Sequence, residues 1–265
     1  MMRESLRDTL AKRAALETSR RGRGRRLTSD EALAFSELYR LLAAVFSYPD
    51  ESLIRGVRSG LTSAEQSRKR DNLPISLAGP LRRLRAAWQA PTVEELALEY
   101  SRLFLGSSLV PLREGGYGDG MRFAGQPVDL ADLNGFYLAF GLGPPAAAAS
   151  PPDHLGTELE FMSLLFLKLA YALERRMNEQ AEITREAMGK FLEDHLGRWV
   201  PPLSAALVEA GASPAYRAAA DLLVSALALE TARLGVKPVL AGAGTSLDPV
   251  GLDEFKCPLA SVPTD

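Results

Sequence analysis

Residues 153–173 read DHLGTELEFMSLLFLKLAYAL and form the longest periodic segment of the chain. The large apolar residues of this segment recur three or four positions apart, the spacing of one face of an α-helix. They are Leu155, Leu159, Met162, Leu165, Phe166, Leu169 and Leu173. Such a broad apolar face predicts a long helix that begins near Asp153 and packs against neighbouring helices.

The flanking sequence predicts further helices and no strand. Only three isoleucines occur in 265 residues, whereas leucine and alanine are abundant, and this balance favours helix over strand. Capping boxes at residues 28–31 and 92–95 open helices that end before Pro49 and near Gly106. Further helices are predicted as a short one after Asp50 and over residues 76–88, 130–140, 182–198, 203–210 and 215–234, with Pro201 ending the 182–198 helix.

These segments predict an all-α fold, a single bundle-like domain of about seven to nine helices. A Pro/Ala linker at residues 141–152 is expected to join two sub-bundles, and such a linker allows a monomer or a domain-swapped dimer. We expect a basic, disordered arm over residues 1–28, the helical domain over residues 29–234 and an irregular tail over residues 235–265. Residues 107–127, with five glycines and two prolines, predict a long loop.

Composition and charge restrict the class of protein. No apolar run is long enough for a transmembrane helix, and a single cysteine, Cys257, excludes a disulfide within the chain, so a cytoplasmic protein is expected. The net charge of −2 divides into +6 over residues 1–26 and −8 over the remainder. The basic arm leaves open a nucleic-acid-binding regulator, and the acidic body suggests a basic ligand.

The only two histidines lie in two copies of the tetrapeptide DHLG, at residues 153–156 and 194–197. Asp153 is expected to cap the helix that follows it, and His195 either to pack in the interior or to interact with the C-terminal dipole of its own helix. No spacing typical of a metal site or a nucleophilic triad accompanies them. A metal or haem protein that uses His154 and His195 remains an alternative, and no catalytic residue is predicted.

Three motifs resemble the TorD/DmsD/NarJ chaperones of molybdenum-containing redox enzymes. They are EYSRLFLG at residues 99–106, PPDHLGTELEFM at 151–162 and FLEDHLGRW at 191–199. The resemblance implies a cytoplasmic, non-catalytic chaperone that binds the twin-arginine leader or N-terminal segment of a molybdoenzyme subunit before export or assembly. It implies no permanently bound cofactor and allows transient contact with the molybdopterin guanine dinucleotide of the client.

The resemblance also assigns candidate residues for binding the leader. The P-x-D-H motif maps onto Pro151, Asp153 and His154, and the Glu-Tyr motif maps onto Glu99 and Tyr100. The loop that follows corresponds only at Pro111, Glu114 and Tyr117. Because a leader carries two guanidinium groups and an apolar stretch, we expect an apolar groove rimmed by carboxylates, with Asp153, Glu99, Glu158 and Glu114 as candidates. The alternative for Glu158 is a solvated surface residue.

Overall fold

The computed structural model describes residues 26–70, 72–117, 126–143 and 151–241. They form eight helical runs without a β-strand. The runs are α1 (Ser29–Val45), α2 (Glu51–Lys69), α3 (Ala78–Gln89), α4 (Val93–Phe104), α5 (Gln126–Ala139), α6 (Leu155–Glu174), α7 (Asn178–Phe191) continued by a π turn (Leu192–Leu196) and α8 (Gly197–Glu209), and α9 (Pro214–Leu234). The all-α prediction is therefore confirmed, while the expected arm up to residue 25, much of the linker and the tail after 241 lie outside the described residues.

Both predicted capping boxes are present. Thr28 Oγ1 accepts a hydrogen bond from Glu31 N at 3.2 Å, and Thr28 N donates to Glu31 Oε2 at 2.8 Å. Thr92 and Glu95 repeat this reciprocal pair at the start of α4. Each box provides side-chain acceptors for two backbone N–H groups, which would otherwise have to bond to water at the start of the helix.

The long periodic segment forms the helix that its apolar spacing predicts, α6. Helix α6 packs along α1, where Ser36 and Ser163 each donate a 2.8 Å side-chain hydrogen bond to the carbonyl of the other. These small residues allow close approach, and Phe166 stacks on Phe35 and Tyr39 beside them. Helix α9 packs against α3 and α8, so one continuous core joins the two halves of the chain.

Two expected helix boundaries are wrong. The helix after Asp50 is not short, since α2 has 19 residues. The expected break at Pro201 does not occur either, because the helix runs on through Pro201 and Pro202. Pro202 cannot donate to the carbonyl of Arg198, and that carbonyl accepts instead from Ala241 N at 2.9 Å. A tertiary contact thus replaces the missing helical hydrogen bond.

Within the described residues, no helix combines the length and the apolar character needed to cross a bilayer.

Candidate functional site

The segment that precedes α6 is held by the loop after α4. Arg113 and His154 form an isolated antiparallel bridge, in which Glu114 N donates to Asp153 O and Leu155 N donates to Leu112 O, both at 2.9 Å. Tyr137 on α5 donates a 2.7 Å hydrogen bond to Pro152 O. The start of α6 is therefore fixed from two sides, with Pro151 exposed at its edge.

Asp153 is bound to Arg113 and does not cap α6. Arg113 Nε lies 3.1 and 3.2 Å from the two carboxylate oxygens, and Nη2 lies 2.9 Å from Oδ1. The N-cap is His154, whose Nδ1 accepts a 3.1 Å hydrogen bond from Gly156 N. The prediction that Asp153 caps this helix is therefore wrong, because the ion pair with Arg113 turns its carboxylate away from the helix start.

His154 is half-buried and its neutral form is favoured. Burial lowers the pKa of His154, the charge of Asp153 opposes this effect, and the charge of Arg113 reinforces it. The hydrogen bond from Gly156 also requires an unprotonated Nδ1, because only the lone pair of the neutral ring accepts. Protonation of His154 would therefore remove the hydrogen bond that caps α6.

Glu114 and His195 pair inside the protein. His195 Nδ1 lies 3.0 Å from Glu114 Oε2, and its Nε2 lies 3.2 Å from Asp132 Oδ2 on α5. His195 belongs to the π turn, is 2% exposed and packs against Phe136 and Phe191, so the expected packing role is confirmed and the alternative, an interaction with a helix C-terminus, is wrong. The two DHLG segments therefore have different roles, a helix start at His154 and an internal side-chain bridge at His195.

Glu158 is fully buried, and its interpretation as a solvated residue is wrong. Its Oε2 accepts a 3.1 Å hydrogen bond from Trp199 Nε1, and its Oε1 has no hydrogen-bond partner among the described residues. Burial raises the pKa of Glu158 well above the ordinary 4.5, and the charges of Glu114 and Asp153 add to the shift. Trp199 itself stacks on Tyr117 of the loop at 5.5 Å. Trp199 of α8 thus lies between Tyr117 of the loop and the buried carboxyl group of Glu158 on α6.

The Glu-Tyr motif lies in different surroundings. Glu99 accepts from Arg102 at 2.8 and 3.0 Å and from Ser213 N, at the start of α9, at 2.6 Å. The Arg102 hydrogen bond is the main reason that the pKa of Glu99 is lowered. Tyr100 is buried and donates to Phe46 O at 3.3 Å. Their described contacts are with α1 and α9, whereas Pro151, Asp153, His154, Glu114 and Glu158 lie together at the start of α6.

An exposed stripe connects this start of α6 to an apolar groove. Its residues, three or four positions apart on α6 and all at least partly exposed, are Thr157, Glu160, Leu164, Leu167 and Tyr171. The groove lies between the end of α5, α6 and the start of α7 and has a volume of about 580 Å³. Among the residues that the structure describes, Lys168 is the one charged residue that lines it, and Leu167, Tyr171 and Ile183 are each about half exposed. An apolar surface of this kind is typical of an interaction site.

The sequence interpretation missed Arg113 and Asp132, and it also missed the hydrogen bond between Trp199 and Glu158. Arg113 directly precedes the predicted Glu114, but its partner lies 40 residues away, and only the fold brings them together. Glu158 did carry a local signal, because it lies three residues after Leu155 and four before Met162, on the apolar face of its helix. Among the described residues no cluster of three or more His, Cys, Asp or Glu side chains is arranged to hold a metal ion.

Comparison with known proteins places this chain in a family. The family model described as nitrate reductase delta subunit matches residues 70–205. The perchlorate reductase assembly chaperone of Dechloromonas aromatica is 29% identical over 199 residues, 73% of this chain and 86% of the relative. The selenate reductase assembly chaperone of Thauera selenatis is 33% identical over 178 residues, 66% and 76% of the two chains.

A third relative gives the same result. The chlorate reductase assembly chaperone of Ideonella dechloratans is 30% identical over 176 residues, 65% of this chain and 76% of the relative. The chain therefore belongs to the nitrate reductase delta subunit family, the NarJ/TorD-like chaperones of molybdoenzyme maturation indicated by its motifs, and is a chaperone and not an enzyme.

Proposed function

We propose that this chaperone binds the N-terminal segment of a molybdenum-containing oxidoreductase subunit, a twin-arginine leader where the client has one. It holds that segment in the cytoplasm until the molybdopterin guanine dinucleotide cofactor is inserted, and it makes only transient contact with the cofactor. The names of its relatives favour a reductase of an oxyanion such as perchlorate, selenate or chlorate as the client.

The observation that supports this proposal is the exposed stripe of α6. Asp153, His154 and Glu160 provide polar and acidic groups at one end, and the apolar groove around Tyr171 and Ile183 lies at the other. Residues 157 and 171 of a helix are about 21 Å apart along its axis. A leader has the matching order of groups, with arginines first and an apolar stretch after them, so one extended or helical segment fits both ends.

The stoichiometry follows from the same geometry. The described part of one chain carries this stripe on α6, so we propose that one chaperone binds one leader, either as a monomer or as a dimer with exchanged halves. Light scattering of the complex with a leader peptide distinguishes the two states by mass.

Calorimetric titration tests the proposal with the leader peptide of a molybdoenzyme encoded beside this gene. Ile183→Asp introduces a charge into the groove, and we expect it to weaken binding about tenfold or more, since a buried aliphatic side chain contributes about 1.5–3 kcal/mol. Val208→Asp is the matched control, because Val208 is similarly exposed but lies on α8, outside the groove. No binding of any such leader to the wild-type protein, or equal losses in both variants, would contradict the proposal.

A further inference from the structure

Arg113 holds Asp153 in the geometry of a recognition contact. Its guanidinium reaches both carboxylate oxygens, as arginine does when it binds a carboxylate with two parallel hydrogen bonds. The side chain of Asp153 is only 7% exposed, whereas that of Arg113 is 52% exposed. The carboxylate is therefore buried, and the guanidinium that covers it is open to solvent on its outer side.

The loop around Arg113 does not depend on this ion pair for its position. Backbone hydrogen bonds join it to residues 153 and 155, and Val110 N donates to Leu103 O at 2.9 Å. Val110 and Leu112 are buried, and Tyr117 stacks on Trp199. Because these contacts already fix the loop, the exposed arginine contributes little to holding it.

Further carboxyl groups lie close to the Arg113–Asp153 pair. The charges of Glu114 and Asp153 both act on Glu158 and help to keep its buried carboxyl group protonated. An acidic site that already holds one guanidinium has the chemistry to hold a different one in the same place.

We infer that Arg113 occupies, in the free chaperone, the position that an arginine of the client segment takes in the complex. This inference rests on the proposed function and names the group that the site recognises. Binding is then an exchange, in which the incoming guanidinium replaces that of Arg113 on Asp153. Arg113 swings out into solvent while the loop keeps its backbone contacts.

Such an exchange has two consequences for binding. The new ion pair between the client arginine and Asp153 replaces a similar pair between Arg113 and Asp153, so the exchange itself contributes little to the binding free energy. The apolar part of the client segment must therefore supply most of the affinity. The site also favours arginine over lysine, since an ammonium group cannot contact both oxygens in the planar geometry of a guanidinium.

Titration of an Arg113→Ala variant tests the inference, with a leader peptide containing two arginines and a second peptide in which both are lysine. We expect the variant to bind the arginine peptide about tenfold more tightly than the wild type, because no internal group competes for Asp153. The lysine peptide should gain clearly less. Arg83→Ala is the matched control: Arg83 pairs with Asp221 through a Nε hydrogen bond of 3.1 Å, away from this site, and its removal should leave both affinities unchanged.

A second variant, Arg113→Lys, tests the inference if Arg113→Ala does not fold. If circular dichroism shows that Arg113→Ala is unfolded, Arg113→Lys keeps the charge but loses the two-point contact, and a gain of about threefold is expected. In an Asp153→Asn background the substitution of Arg113 should give no gain. Unchanged or weaker binding by the folded Arg113 variant, with wild-type binding intact, overturns the inference alone. Absence of binding by the wild type overturns the proposed function itself.

Discussion

Trp199 donates its indole hydrogen bond to Glu158 across 41 residues of sequence, at 3.1 Å, in the interior of the protein. Both side chains are fully buried, so neither group has water as a substitute partner. A carboxyl group in such surroundings is costly when charged, and the surrounding protein therefore favours its protonated form.

Glu158→Gln should flatten the pH dependence of stability. The pKa of Glu158 is raised in the folded protein. Its contribution to the free energy of unfolding is therefore fully present below pH 4.5 and is lost as the pH rises towards the folded pKa. The loss amounts to at most about 1.4 kcal/mol per pH unit. Urea unfolding from pH 5 to 8 measures it, as the difference between wild type and variant at each pH.

Glutamine keeps an oxygen that accepts from Trp199 but does not titrate in this range. Glu160→Gln is the control, since Glu160 is exposed on the same helix two residues later. Parallel stability curves for wild type and Glu158→Gln would contradict the assignment.

Trp199→Phe should cost more than Trp88→Phe. Both indoles are fully buried, but Trp88 Nε1 has no hydrogen-bond partner among the described residues, whereas Trp199 Nε1 is bonded to Glu158. The loss of volume is the same in the two substitutions. The additional cost of leaving Glu158 without a donor is about 1–3 kcal/mol in the free energy of unfolding. Equal losses in chemical denaturation would show that the hydrogen bond contributes nothing net.

Local signals predicted local structure well. The capping boxes at Thr28 and Thr92 were predicted because all their atoms belong to four consecutive residues. The partners of Asp153 and Glu158 were not predicted, since Arg113 and Trp199 reach them only once the helices have packed. The family resemblance grouped both Glu114 and Glu99 with the start of α6, and the structure brings Glu114 there but places Glu99 against the start of α9. The role of these carboxyl groups in binding the client remains a prediction.

His154→Asn should retain the helix cap and remove a titration. In the wild type, the pKa of His154 is lowered by folding. Its contribution to the free energy of unfolding is therefore fully present above about pH 6.5 and declines as the pH falls through the folded pKa. Protonation of Nδ1 also breaks the hydrogen bond from Gly156. Asparagine caps helices well without titrating, whereas His154→Ala should lose about 1 kcal/mol at pH 7.

Thermal unfolding of the three proteins from pH 7.5 to 5.5 provides the comparison. The wild type should lose stability relative to His154→Asn as the pH falls. A constant difference across this range would exclude His154 as the titrating group.

Gly197→Ala should destabilise the join between the π turn and α8. A Cβ atom at this position would clash with the carbonyl oxygen of Leu192 and with Cγ of Pro238. The first contact is with backbone, so the turn itself would have to shift. The second would displace the segment that contains Ala241, whose N–H donates a hydrogen bond to the carbonyl of Arg198. We expect a loss of about 1–3 kcal/mol.

The matched control is Gly135→Ala on α5, where nothing lies within 4 Å of the added atom. Alanine is the better helix former, so this variant should gain about 0.5–1 kcal/mol. Urea unfolding measures both changes. Hydrogen exchange at Ala241 separates the two contacts of Gly197, because its amide should exchange faster in Gly197→Ala only if the segment around Pro238 moves away. A destabilised variant with normal protection at Ala241 would place the whole cost at Leu192, and an unchanged stability would mean that the π turn tolerates a side chain.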